Sequence, residues 1–147
     1  MRGNRIKGGL VKLLDLFGKK DVGEELTKKV PYAMKLSFHP YRLSANKMES
    51  AMLIIELKNL KEEPLLTSII VQLPKNLGFD QTALSSTREI RLGDLKPGEE
   101  KVVRVDVWGN PRTDAGEYPI EVTAVCHYRN YSYILNAEKK GITLRVV

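Results

Sequence analysis

The 147 residues contain a single cysteine, Cys126, two histidines, His39 and His127, and one tryptophan, Trp108. One thiol forms no intramolecular disulfide, and one thiol with two distant imidazoles is too few ligands for a structural zinc site. Neither a metal nor a cofactor is expected. No run approaches the roughly 20 apolar residues that span a bilayer. Lys12, Asp15, Lys19 and Lys20 interrupt the apolar residues of the N-terminus, so it does not read as a signal peptide. The expected compartment is therefore the cytoplasm, and the Asn130-Tyr131-Ser132 sequon reads as a chance match in a turn. Gly-rich phosphate loops are missing too: Arg2-Gly3-Asn4 and Lys7-Gly8-Gly9 match neither a P-loop nor a dinucleotide fingerprint.

What is present is an ordinary globular composition, 42% apolar and 29% charged, with a net charge of +6. Residues 1–30 hold eight Lys/Arg against four Asp/Glu; the rest of the chain holds sixteen against fourteen. The basic excess thus sits in a leader. A broad nucleic-acid-binding face on the body is not expected, and the leader is the candidate for electrostatic contact with anionic lipid.

The hydrophobic period changes near Pro31, which divides the chain into residues 1–30 and 31–147. In the leader, Ile6, Leu10, Leu13, Leu14 and Phe17 recur at helical spacing and make one apolar stripe, with Gly18 placed to end the helix. Asp21 and Glu24 read as the cap of a short second helix through Lys29. Three occupants suit the stripe: the body of this chain or a second copy, a groove on a protein partner, or an anionic membrane surface contacted by residues 5–20. The last makes the chain a peripheral membrane protein.

After Pro31 the period is two. Met34, Leu36 and Phe38 alternate with polar residues, and Ala51 to Leu57 forms a nearly continuous apolar run suited to a central strand. Further strands are expected over Leu65–Leu73, Arg88–Leu92, Val103–Val107, Tyr118–Cys126, Tyr131–Asn136 and Ile142–Val147, the last two separated by Lys139-Lys140-Gly141. No helical period lies between them, so the expected fold is all-β, an immunoglobulin-like antiparallel sandwich of about seven strands.

Two motifs are specific to a fold. Ile90-Arg91-Leu92-Gly93-Asp94-Leu95-Lys96-Pro97-Gly98-Glu99 precedes an alternating valine strand, and Asp114-Ala115-Gly116-Glu117-Tyr118-Pro119-Ile120 opens the penultimate one. Pro97-Gly98 suits a type II turn, and Tyr118 stands where a tyrosine corner would. Ile120 occupies the place of an inter-sheet cysteine. Together these motifs resemble the CARDB-like and NEW3-like immunoglobulin-type domains common in archaeal and bacterial surface proteins. The resemblance covers about residues 35–147 and implies a fold rather than an activity.

No catalytic constellation is legible. Cys126 and His127 are neighbours on a strand and point to opposite faces, so Cys126 reads as a small buried hydrophobe. Glu62-Glu63 and Glu99-Glu100 read as solvated turn charge. Tyr128, Tyr131 and Tyr133 with Arg129 either stack on single-stranded nucleic acid or pack across a hairpin, the second being the favoured reading. Trp108, opposite the valine face, is a candidate contact anchor of the body, a position that covering by the leader helix explains equally well. The expected function is that of a non-enzymatic protein-interaction or structural domain, contacting a protein partner or its own copy.

Overall fold

The computed structural model describes residues 30–147; the leader stripe and its expected helices lie outside the described residues. Eight strands follow in order: β1 (Tyr32–His39), β2 (Arg42–Leu43), β3 (Ser50–Asn59), β4 (Leu65–Gln72), β5 (Thr87–Leu95), β6 (Glu100–Trp108), β7 (Gly116–His127) and β8 (Ile134–Val146). They form a three-stranded sheet, β1-β3-β6, and a five-stranded sheet, β2-β8-β7-β4-β5.

Alternation decides which side chains enter the core. Ala51, Leu53, Ile55 and Leu57 of β3 are buried, as are Val105 and Val107 beside them on β6. They meet Ile69 and Val71 of β4, Ile120, Val122 and Ala124 of β7, and Leu144 of β8. Each such leucine, isoleucine or valine contributes about 1.5–3 kcal/mol by leaving water. Cys126 belongs to the same cluster, and its thiol pKa is pushed up by that burial.

Three expectations about the strands are corrected. Lys139-Lys140-Gly141 is no turn: β8 runs unbroken through it, because β7 pairs with it residue by residue from Gly116↔Val146 to Cys126↔Asn136, Lys139 lies by Glu121 and Lys140 bonds to the Met34 carbonyl. Its start is Ile134 rather than Tyr131, which belongs to the connecting loop. The sandwich is also not wholly antiparallel. The two-residue β2, unread in the sequence, lies parallel to β8 through Arg42↔Arg145 and Leu43↔Val146. Such a short pairing carries no periodicity to read.

Polar side chains tie the connections at the two poles. At one, Asn59, 1% exposed, donates through Nδ2 to the carbonyls of Glu63 and Leu95, both at 2.9 Å, while its Oδ1 accepts the Lys61 N–H. Beside it, the Glu99 N–H donates to the Lys96 carbonyl across Pro97 and Gly98, and Gly98 has φ +74°. That is the type II geometry, in which the third residue needs positive φ. At the other pole, Thr113 donates to the Asn76 carbonyl at 2.6 Å and accepts the Asn110 N–H.

Candidate interaction surface

β7 and β8 are joined by a loop whose geometry sets the most apolar part of the surface. Cys126 faces the core, whereas His127 is buried on the outer face, its Nε2 2.7 Å from Ser68 Oγ on β4. Tyr131 folds back over this imidazole, ring centroids 4.9 Å apart and edge-on. The Arg91 guanidinium stacks on the Tyr131 ring, and the Tyr131 hydroxyl accepts the Gly93 N–H at 2.9 Å. A bulge in the β4–β5 ladder at Thr67/Ser68 accompanies that bond, and Gly93 has φ +77°. Burial lowers the His127 pKa, against the pull of nearby backbone carbonyls of Tyr133 and Tyr131.

Tyr131 therefore packs across strands, as the favoured reading of the tyrosines expects. Its neighbours do otherwise. Tyr128, Tyr133, Ile134 and Leu135 are each about half exposed or more, and Arg129, at φ 70°, stacks its guanidinium over Tyr128. Leu60, on the β3–β4 connection at the same pole, is also exposed. The sequence carries a signal for this surface that the strand pattern obscured. Three consecutive apolar residues, Tyr133-Ile134-Leu135, cannot all face one core from a strand whose side chains alternate.

Beside this cluster runs an open sheet edge. β7 pairs along β8, but β2 pairs only with Arg145 and Val146, so among the described residues no strand forms a ladder with the other edge from Ile134 to Thr143. Lys140 reaches from there to the opposite sheet, its Nζ donating to the Met34 carbonyl on β1 at 2.7 Å. Glu138 is half-buried next to it, and desolvation raises its carboxyl pKa.

The other residues singled out in the sequence lie elsewhere. Trp108 is half-buried at the opposite pole, with backbone bonds to Gly78 in both directions, N–H to carbonyl at 2.7 Å and carbonyl to N–H at 3.0 Å. Tyr118 donates its hydroxyl to the Asp114 carbonyl at 2.7 Å, and Gly116 opens β7 opposite Val146. Ile6, Leu10, Leu13, Leu14 and Phe17 lie outside the described residues. Among the described residues no three His, Cys, Asp or Glu are grouped to hold a metal, and no helix is long and apolar enough to cross a membrane.

No protein-family model matches the chain, and no curated protein does. Solved structures do. Escherichia coli α2-macroglobulin, from its MG7 domain to the C-terminus, superposes on 80% of this chain with a TM-score of 0.61 at 16% identity. The chain is an immunoglobulin-like β-sandwich. The same Escherichia coli protein in its native conformation matches over 80% of the chain with a TM-score of 0.59 at 17% identity. This sandwich spans 16% and 7% of the lengths of those two molecules. A CARDB domain from Pyrococcus furiosus is also similar, at 20% identity over 79% of this chain and 85% of its own, with a TM-score of 0.46.

Proposed function

We propose that this immunoglobulin-like domain is a non-enzymatic interaction module that contacts protein through the β7–β8 surface. The observation that carries the reading is the exposure of Tyr128, Tyr133, Ile134 and Leu135 together, beside an open strand edge. Tyrosine joined to aliphatic side chains suits a protein contact, since the rings offer large rigid area and a hydroxyl that stays hydrated. An open edge adds backbone donors and acceptors for an extended segment. The likeness to Escherichia coli α2-macroglobulin supports the sandwich fold that presents this surface.

Affinity purification of the full chain from its native cells, compared with Tyr133→Glu/Leu135→Glu by quantitative mass spectrometry, tests the reading. It expects a stoichiometric protein partner, or the chain's own untagged copy, to be lost from the variant. Identical recoveries from both would refute the surface. A reproducible turnover abolished by replacing Cys126 or His127 would refute the non-enzymatic assignment.

A further inference from the structure

The exposed hairpin lies at the pole where the described chain begins. β1 and β8 both start there and run the same way, being antiparallel to β3 and β7, which end there. The Lys140–Met34 bond joins the two strands across the sheets. Two residues earlier on each strand stand Tyr32 and Glu138, and the carboxylate is near enough to add to the rise in the Tyr32 hydroxyl pKa that burial chiefly causes. The described chain therefore begins at the hairpin's pole, on the strand that Lys140 joins to β8. Leu60 marks the same pole, because its N–H donates to the Pro31 carbonyl at 2.8 Å.

We propose that the apolar stripe of the leader, Ile6, Leu10, Leu13, Leu14 and Phe17, docks in the same chain on the surface formed by Tyr128, Tyr133, Ile134, Leu135 and Leu60. This deepens the interaction reading, on which its surface rests: a partner reaches the hairpin by displacing the leader. Phe17 precedes Val30 by thirteen residues, enough to reach about 20 Å as helix and about 45 Å extended. Either reach covers Tyr133 to Leu135, about 10 Å of strand. A tethered segment acts at an effective concentration on the order of millimolar, about a thousandfold above a second copy at micromolar protein. Docking within one chain therefore prevails over exchange between chains.

Hydroxyl-radical footprinting of the full chain and of full-chain Leu13→Glu/Leu14→Glu, without any partner, tests this separately from the interaction reading. Tyr128, Tyr133, Ile134 and Leu135 should be labelled severalfold more in the variant, while Leu84 and Tyr41, exposed at the other pole, label equally and report an intact sandwich. Equal labelling of the hairpin in both proteins overturns the proposal. So does protection of the wild type that appears only as its concentration is raised, which assigns the surface to a second copy. Protection that appears only with phosphatidylserine vesicles also overturns it and assigns the stripe to lipid. Partner binding without leader protection would leave the interaction reading standing and remove only this one.

Discussion

At the scale of single residues, polar groups buried without water dominate the consequences of substitution. Asn59 satisfies two carbonyls and one N–H belonging to the β3–β4 and β5–β6 connections. Asn59→Ala strands all three, and a loss of about 2–4 kcal/mol is expected from denaturant melts. His127 gives a pH dependence of known sign. Burial depresses its pKa below the ordinary 6.5, so between the two values the unfolded chain holds a proton that the folded chain does not. Stability is therefore complete above the unfolded value and declines as pH falls through it. Denaturation midpoints at about pH 7.5 and about pH 5 should differ by less in His127→Gln than in the wild type. Glu138 has the opposite sign: desolvation raises its pKa, so the folded chain retains the proton and stability falls as pH rises through that range.

At the scale of elements, the bulge beside Gly93 and the corner at Tyr118 constrain the sheet locally. Gly93 adopts positive φ with no heavy atom within 4 Å of where a Cβ would sit, so its constraint is the backbone conformation and not space. Gly93→Ala is expected to cost about 1–2 kcal/mol in thermal or denaturant melts. A cost near zero would mean that the bulge relaxes and the Tyr131 hydroxyl bond breaks. Tyr118→Phe removes the bond to Asp114 that closes the chain onto β7. Loss of one such bond should cost about 1 kcal/mol, and an unchanged denaturant midpoint would show that solvent replaces it.

At the scale of the whole molecule, the core and the β7–β8 surface are energetically separate. Leu53, Ile55 and Leu57 are wholly buried, and truncating Ile55 to Ala should cost about 2–5 kcal/mol by opening a cavity between the sheets. Leu135 faces solvent among the described residues. In a chain bearing Leu13→Glu/Leu14→Glu, the further change Leu135→Glu should move stability by no more than about 0.5 kcal/mol, as surface substitutions do. A drop of several kcal/mol in that background would mean that Leu135 supports the sandwich itself.

The amino-acid sequence alone determined the class of fold and much of its core. The two-residue period of Val103, Val105 and Val107, and of Ile120, Val122 and Ala124, requires strands with one buried face. The lack of helical period between them requires packed sheets. Proline followed by glycine at 97–98 marked a turn because its chemistry is local. The exposed β7–β8 surface was only half legible. Tyr128, Tyr131 and Tyr133 stood out as a group, yet which of them packs inward depends on His127, Ser68, Gly93 and Arg91, contributed by three different strands. The parallel β2–β8 contact, the unbroken course of β8 through its lysines and the open edge beside Ile134 likewise belong to tertiary structure. Alternation along a strand says which face is buried, but strand order alone says which edge is left uncovered.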